Sequence, residues 1–258
     1  MSAQIYRFES LLKYDFIRHG VSTRRGGVST DYLTSSLNLG LKTADGRELV
    51  LENYRRFCHA ASLNFENLVH GDQKHGANVR VVTSEDAGKG LFKPRDYENI
   101  DALVTKEKNI PLVITTADCV PILFLDPENK IVGAAHCGWR GTIAALAANT
   151  VREMVKLGGR AENIIAAICP CARCCCYEVS AELADEFKDK TGVGVYERND
   201  GFYLDLPEIN KHFLKSVGVL EENIYDSGIC TICNNRDYFS HRVLGDGRGM
   251  IGSAIELV

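Results

Sequence analysis

Three side chains of this 258-residue chain, one cysteine and two histidines, are of the kinds that bind zinc or copper and stand in distinctive sequence segments. Cys119 lies in ITTADCVPILF, His136 in IVGAAHCGWRGT, and His75 in GDQKHGANV. Three thiolate and imidazole ligands on one ion leave a coordination position open for chemistry. However, their spacing matches no compact zinc motif, and a buried Cys or His is more often a packing residue than a ligand. The local pattern alone leaves both interpretations open.

Each of these three residues is predicted to lie at the end of a strand or in a loop beside one. Short aliphatic or β-branched runs separated by turn residues predict strands at 78–83, 101–105, 112–116, 121–125 and 130–135. The turn sequence at 126–129 predicts a hairpin between the last two strands. If the strands at 112–116 and 130–135 lie in one sheet, their ends can bring Cys119 and His136 to the same rim, where His75 can join them.

The rest of the chain alternates only partly between helices and strands. Apolar residues recur at three- and four-residue steps over 48–63, as in an amphipathic helix. Other elements are predicted as helices at 142–157, 180–190 and 207–217, and as strands at 16–24 and 163–168, near Tyr225 and Tyr238, and at 250–257. We therefore expect an α+β protein with layered mixed β-sheets and flanking helices, forming a single domain over residues 1–258.

Composition limits the partners and the compartment. The chain is 45% hydrophobic and 25% charged with a formal net charge of -4, so it lacks the basic surface that binds nucleic acid. Charged residues interrupt every apolar run near the N-terminus, which predicts neither a signal peptide nor a membrane span. We expect a cytoplasmic protein with no nucleic-acid or membrane partner. In a reducing compartment the ten cysteines are expected to be packing residues, ligands or nucleophiles rather than disulfides.

An ordered series of motifs runs from about residue 20 to residue 252: HGVSTRRGGVST, SLNLG, QKHG, DALVT, TADCVPILFLDP, AAHCGWRGT, PCARCCCYEV, and CT followed by YFSHR. Together they resemble the signatures of the laccase-domain family, also described as multicopper polyphenol oxidoreductases and as purine nucleoside phosphorylases. The resemblance implies that His75, Cys119 and His136 are the metal ligands and the catalytic centre. It further implies one zinc site that acts on purine nucleosides and phosphate: phosphorolysis of adenosine, inosine and methylthioadenosine, with adenosine deamination as a companion activity.

The histidine content bears on which metal is bound. A multicopper oxidase needs on the order of ten histidines, many in H-x-H pairs, because copper in these clusters is bound mainly by imidazole. This chain has seven histidines and no H-x-H pair. A single copper centre, as in a copper polyphenol oxidase, is still open, although such sites usually add an axial methionine and only Met154 and Met250 follow the initiator. We favour zinc.

Phosphate must be bound by local groups if the overall charge does not attract it. The GWRGT segment leads into a predicted helix, whose free N–H groups favour an anion and from which Arg140 can make a bidentate contact. Arg24 in STRRGG and Asn38 in SLNLG are also predicted ligand contacts, or else turn and capping residues of a solvated loop. Trp139 is interpreted as a packing anchor or as a stacking surface for a base.

Two residues beside the candidate ligands have their own interpretations. Asp118 either orients a ligating histidine through its carboxylate or simply ends its strand. Cys137, next to His136, could offer an alternative thiolate. A hypothesis without metal also fits these residues: a cysteine hydrolase in which Cys119 is a nucleophile activated by His136 or His75.

A further hypothesis rests on two C-x-x-C pairs, Cys171 with Cys174 and Cys230 with Cys233. Such pairs can form a second zinc site or a redox module that is not an enzyme. The long stretch of chain between the pairs exceeds the spacing of a zinc ribbon, so we interpret these cysteines as packing thiols.

Overall fold

A computed structural model describes residues 2–199 and 201–258. The strands in this part of the chain are β1 (Ile5–Tyr6), β2 (Ile17–Ser22), β3 (Val69–His70), β4 (Val79–Val81), β5 (Ala102–Thr105), β6 (Leu112–Thr116), β7 (Val120–Asp126), β8 (Ile131–Cys137), β9 (Ile165–Ile168), β10 (Glu178–Val179), β11 (Val195–Arg198), β12 (Gly201–Leu204), β13 (Ile224–Asp226) and β14 (Ile251–Leu257). The helices are α1 (Glu9–Leu12), α2 (Arg47–Ala61), α3 (Trp139–Ile143), α4 (Leu146–Lys156), α5 (Ala181–Thr191), α6 (Leu206–Ser216) and α7 (His241–Leu244).

The described strands form three mixed or antiparallel sheets. A five-stranded sheet has the order β1-β2-β14-β6-β3, and a six-stranded sheet has the order β13-β9-β7-β8-β5-β4. A small antiparallel sheet has the order β10-β12-β11. The two large sheets combine antiparallel pairs with parallel ones, such as β3 with β6 and β9 with β13. The expectation of an α+β protein with layered mixed sheets is therefore confirmed.

The two large sheets pack against each other through a shared apolar core. Leu103, Leu123 and Val132 of the six-stranded sheet cluster with Ile114 and Ile255 of the five-stranded sheet. Because side chains alternate along a strand, the neighbouring residues of the six-stranded sheet point the other way. They are buried by helices, which explains why β7 and β8 are apolar almost throughout.

Helices cover the outer face of each large sheet. On the six-stranded sheet, Val104 and Phe124 pack with Val151 of α4 and Ile209 of α6. On the five-stranded sheet, Phe57 and Tyr54 of α2 pack against Val113. Burying an amphipathic helix on a sheet removes apolar surface from water, and Tyr54 and Phe57 are fully buried there.

Most predicted elements occur close to their expected bounds, and two do not. The helix expected at 142–157 is two helices, α3 and α4, because Ala145 adopts a left-handed backbone conformation with φ of 56°. The strand expected near Tyr238 is absent, since residues 231–237 form turns in this part of the described chain. Ser180 caps α5, since its hydroxyl accepts the Leu183 N–H at 3.4 Å.

Within residues 2–199 and 201–258, no helix has the length and apolar character required to cross a membrane.

Candidate metal centre

His75, Cys119 and His136 converge at one end of the six-stranded sheet. Their ligand atoms all lie within 4.8 Å of one another. The His75 and His136 rings are 4.8 Å apart between centroids. His136 is buried, Cys119 is partly buried and His75 is exposed, so the group is open to solvent on one side. This arrangement can hold one metal ion with three protein ligands and an accessible fourth position.

Cys119 and His136 meet because they flank the open end of the β7–β8 hairpin. The strands pair with Pro121 opposite His136 and Val120 opposite Cys137. Cys119 therefore lies just before the first paired residue, next to His136. We predicted the right proximity for the wrong reason: the strands at 112–116 and 130–135 lie in different sheets, and the hairpin with 121–125 brings the ligands together.

Asp101 positions both histidines, a role that we did not predict from the sequence. One carboxylate oxygen, Oδ1, accepts the His136 ring Nδ1 at 2.7 Å and the His75 backbone N–H at 3.0 Å. The other, Oδ2, accepts the backbone N–H groups of Lys74 and Gly76 at 3.0 and 2.7 Å. Asp101 is fully buried at the start of β5. A carboxylate that accepts Nδ1–H leaves Nε2 as the ligating nitrogen of His136.

The position of Asp101 has a signal in the sequence, the DALVT motif, but an aspartate before a strand is also a common turn residue. Asp101 is buried and accepts four N–H groups, and these contacts distinguish a residue that positions the histidines from an ordinary turn residue. Those donors also act on its titration: burial raises the pKa of Asp101, but its hydrogen bond from His136 and those from the Lys74 and Gly76 amides outweigh burial and lower it.

The electrostatics of the centre favour a thiolate. Burial raises the pKa of Cys119, but the charge of His136 and hydrogen bonds from His136 and His75 outweigh burial and lower it to about 6. Burial lowers the pKa of His136, but the Cys119 thiolate and the hydrogen bond to Asp101 raise it to about 9. The thiolate is the form of cysteine that binds metals and attacks as a nucleophile. Metal binding would displace the proton from His136.

Gly138 leaves room for the three ligands to approach. A Cβ atom at this position would lie 2.8 Å from Cδ2 of His75 and 3.2 Å from Sγ of Cys119. The backbone of Gly138 has φ of -63°, so a larger residue is excluded by contact with the ligands and not by backbone conformation. The glycine of the GWRGT segment thus keeps the centre unobstructed.

Two cavities meet at the candidate ligands. The first, of about 280 Å³, is lined by His75, Cys119 and His136 together with Thr116, Arg95 and Arg248. The second, of about 570 Å³, is lined by His75 and Cys119 together with Trp139, Arg140, Tyr177 and Arg242. Two residues of the wall of the first cavity, Thr116 and Arg248, each have one buried polar atom, Oγ1 and Nε, without a hydrogen-bond partner among the described residues.

Arg140 lies beside the centre, in a different setting from the one predicted. It is exposed in α3, which has only five residues, and its guanidinium stacks on the Trp139 ring at 4.1 Å from the ring centroid. The long helix expected to start here does not, so any anion contact depends on the Arg140 side chain more than on a helix terminus. Trp139 is partly buried against the core and also forms part of the cavity wall.

Asn38 and Arg24 hold their own loops together. The fully buried Asn38 donates to Thr43 and Asp45 and accepts the N–H groups of Gly40 and Met250. Arg24 donates to the carbonyls of Ser35 and Asn235 and stacks over Phe239. The structure does not bring either residue to the three ligands. Asn38 instead shapes the wall of the first cavity, to which Gly40, Thr43 and Met250 belong.

The role that we considered for Asp118 belongs to Asp101. Asp118 has φ of 85°, and its carboxylate accepts the hydroxyls of Thr231 and Ser240 at 2.7 and 3.0 Å and the Arg242 N–H at 2.8 Å. It orients no ligating histidine, but it fixes the residue immediately before Cys119.

Cys137 is not an alternative ligand. It is fully buried on the opposite face of β8 from His136, and burial raises its pKa.

Fold and site together define an α+β protein in which two histidines and one cysteine converge into a group that could hold a metal ion. Residues 18–258 match the family described as multi-copper polyphenol oxidoreductase laccase, and the chain belongs to this family. Purine nucleoside phosphorylase YlmD of Geobacillus stearothermophilus is 35% identical over 237 residues, covering 86% of this chain and 84% of that protein. Adenosine deaminase RL5, from an unknown prokaryotic organism, is 32% identical over 250 residues, covering 93% and 95%.

A solved structure extends the likeness to the whole fold. The crystal structure of the hypothetical protein YfiH from Bacillus licheniformis has a TM-score of 0.91 at 29% identity, covering 100% of this chain and 97% of that one. Purine nucleoside phosphorylase and adenosine deaminase thus both occur as names among the relatives of this chain.

Proposed function

We propose that this chain is a cytoplasmic, zinc-dependent purine nucleoside phosphorylase whose metal is held by His75, Cys119 and His136. Its substrates are inosine, adenosine and methylthioadenosine, and adenosine deamination is a companion activity. The observation that carries the proposal is the convergence of these three ligands, backed by Asp101, where two cavities meet. The names of the relatives support the choice of purine nucleosides as substrates.

The residues fit a zinc ion. One thiolate and two imidazoles form a ligand set that zinc accepts, and the glycine at 138 leaves the space that their convergence needs. Asp101 fixes His136 in the tautomer that presents Nε2. A bound zinc ion supplies a Lewis acid with a position open to substrate or water.

The first cavity suits the nucleoside. Its wall includes the polar side chains of Thr116, Arg95 and Arg248, which can form hydrogen bonds with the ribose hydroxyls or the polar edge of the base. The cavity of about 280 Å³ is close to the lower end of ligand pockets, which begin at roughly 300 Å³. Its small size favours a single nucleoside over a longer ligand.

The second cavity suits phosphate. Arg140 and Arg242 line it, and the Arg242 guanidinium donates to the backbone carbonyl of Glu178 and not to its carboxylate. Arginine is well matched to phosphate because its planar group can donate two parallel hydrogen bonds. Phosphate held there would face the anomeric carbon of a nucleoside in the first cavity. In the reaction, the carbon–nitrogen bond to the purine breaks, a carbon–oxygen bond to phosphate forms, and the purine takes up a proton.

The test measures hypoxanthine release from inosine with and without phosphate, beside zinc content per chain. Cys119→Ala and His136→Ala should each remove bound zinc and phosphate-dependent hypoxanthine release. Cys137→Ala is the matched control, because this neighbouring cysteine is buried but points away from the centre. Full phosphate-dependent activity in metal-free Cys119→Ala protein would refute the proposal.

Kinetic constants test the assignment of the two cavities. We expect Arg140→Gln and Arg242→Gln to raise the KM for phosphate with little effect on the KM for inosine. Arg248→Gln should do the reverse, because Arg248 lines the first cavity. If Arg140→Gln and Arg242→Gln raised the KM for inosine and Arg248→Gln raised the KM for phosphate, the two substrates would have to be assigned to the opposite cavities.

A second candidate function has a specific observation in its favour. The Cys119 thiolate, His136 and Asp101 form a hydrogen-bonded series of nucleophile, base and orienting carboxylate, as in cysteine hydrolases. Metal dependence separates the two functions. A hydrolase should keep its activity after chelation and lose it on alkylation of Cys119, whereas zinc bound at Cys119 should protect this thiol from alkylation until the metal is removed.

A further inference from the structure

Four other cysteines form a compact cluster at a distance along the chain from the three candidate ligands. The Sγ atoms of Cys175, Cys176, Cys230 and Cys233 all lie within 4.8 Å of one another. Two of these distances are 3.7 Å, between Cys175 and Cys233, and 3.3 Å, between Cys176 and Cys233. Cys230 is buried, Cys176 is partly buried, and Cys175 and Cys233 are exposed. One of the two C-x-x-C pairs that we had grouped from the sequence, Cys230 with Cys233, is in this cluster, but Cys175 and Cys176 complete it in place of Cys171 and Cys174.

The fold of two loops creates the cluster. Strands β9 and β13 run parallel, and the segments that follow them stay side by side: Cys171 donates its N–H to the Ile229 carbonyl at 3.2 Å, and its carbonyl accepts the Thr231 N–H at 3.0 Å. Each segment then turns back on itself. The packing interpretation holds for Cys171, which is fully buried in the core. It is wrong for Cys233, which is exposed.

The geometry fits one tetrahedral ion. Four sulfur atoms at about 2.3 Å from a zinc ion lie about 3.8 Å from one another. The two distances of 3.3 and 3.7 Å lie slightly below this value, and all four sulfur atoms lie within 4.8 Å of one another. The two iron atoms of an iron–sulfur cluster would need their ligand pairs farther apart than a single ion does, so the mutual closeness of the four sulfurs favours one ion.

Backbone groups support a thiolate at the most buried position. Burial raises the pKa of Cys230, but hydrogen bonds from the backbones of Cys233, Arg173 and Ile232 help to lower it. Hydrogen bonds of this kind fix the orientation of a thiolate ligand and offset its charge. They come from both segments, so the Cys230 sulfur lies where the two loops meet.

We propose that Cys175, Cys176, Cys230 and Cys233 bind a second Zn²⁺ ion in a closed four-thiolate site. Four protein ligands leave no position for a substrate, so the role of the ion is structural. It ties together the loops 171–177 and 229–235.

Both of these loops hold Asp118, the residue before Cys119. The Ala172 N–H donates to the Asp118 carbonyl at 2.8 Å, and the Thr231 hydroxyl donates to its carboxylate at 2.7 Å. The second ion therefore supports the backbone from which Cys119 reaches the first centre. Its removal should weaken metal binding there as well.

The first test is zinc content per chain in the full-length protein. We expect the Cys175→Ser/Cys233→Ser double variant to hold one zinc fewer than the wild type. Cys174→Ser is the matched control: this thiol is adjacent in sequence but contacts Arg198 and lies outside the cluster, so the zinc content should not change. His75→Ala should lose only the zinc of the first centre. An equal zinc content in the wild type and the double variant would overturn the proposal.

Two further measurements leave the four cysteines unchanged, so they do not require that a variant of the cluster folds. Co²⁺ bound to the His75→Ala protein should show the intense sulfur-to-cobalt charge-transfer absorption of a four-thiolate site. In the wild type, Cys175 and Cys233 should be protected from alkylation despite their exposure, and chelation should make both reactive. Immediate alkylation of both cysteines in zinc-loaded protein, or a disulfide to Cys233 in protein purified under reducing conditions, would refute the site.

Discussion

Replacing Asp101 with asparagine tests the positioning of the histidine ligands without changing the size of the side chain. Each carboxylate oxygen accepts two N–H groups: Oδ1 serves the His136 ring and the His75 backbone, and Oδ2 serves the backbones of Lys74 and Gly76. An asparagine must place its NH₂ group on one of these two sides. Whichever way the amide turns, its NH₂ group then faces two N–H groups that had donated to the carboxylate.

Both orientations disturb the centre. With NH₂ toward Lys74 and Gly76, the loop that carries His75 loses two hydrogen bonds. With NH₂ toward His136, the ring must accept at Nδ1 and carry its proton on Nε2, the nitrogen that would bind the metal. Loss of such a supporting carboxylate costs roughly 10- to 100-fold in metal affinity. This factor corresponds to about 1.4 to 2.8 kcal/mol.

The assay is a competition titration of zinc between the apoprotein and a chelator of known affinity, with thermal unfolding recorded in parallel. Asp126→Asn is a closely matched control. Asp126 is also fully buried and accepts four N–H groups, from Glu128, Asn129 (backbone and side chain) and Arg160, but it lies at the turn end of the β7–β8 hairpin. We expect Asp126→Asn to lower stability and leave zinc affinity unchanged. An Asp101→Asn protein that binds zinc as tightly as Asp126→Asn would contradict the positioning role.

Two further substitutions test packing and titration. Gly138→Ala adds a Cβ atom 2.8 Å from the His75 ring, and overpacking of about 1–3 kcal/mol should weaken zinc binding roughly tenfold. The control is Gly46→Ala, where nothing lies within 4 Å of the added Cβ atom, and it should leave the zinc affinity in the competition titration unchanged. Glu256 is 1% exposed, and burial raises its pKa to about 7 from 4.5. The free energy of unfolding should therefore fall as the pH rises from 4.5 to 7. The loss should reach about 3 kcal/mol at pH values above 7. Urea unfolding should show Glu256→Gln to be more stable than the wild type at pH 8 but not at pH 4. The control Glu66→Gln, at an exposed position, should show no such pH-dependent gain. A gain for Glu256→Gln that persists at pH 4 would refute the raised pKa of Glu256.

The central β-rich region could be predicted because its signals are local. The runs at 112–116, 121–125 and 130–135 are apolar and bounded by turn residues, and all three are strands. The break at Ala145 could not be predicted, since alanine favours a helix and nothing in its neighbours indicates a left-handed residue. Tertiary packing, not local preference, ends α3 there.

The candidate site divides in the same way. His75, Cys119 and His136 could be selected from residue type and motif. The role of Asp101 and the grouping of the four clustered cysteines could not. Asp101 acts through four hydrogen bonds that exist only after β4, β5 and β8 pair. Cys175 and Cys233 are 58 residues apart in sequence, and only the parallel pairing of β9 with β13 makes them neighbours. Such long-range contacts depend on topology, which residue spacing does not encode.

From the β7–β8 hairpin we also predict the order in which the centre assembles during folding. A hairpin closes in about 1–10 μs, because its loop is short and the entropy lost on closure is small. Cys119 and His136 lie at the open end of this hairpin and become neighbours when it closes. His75 and Asp101 must wait for β5 to join β8, and the pairing of β2 with β14 joins the two ends of the chain. The newly made chain therefore presents a two-ligand half-site before the fold is complete, and a metal ion captured at this stage would guide the later steps of folding.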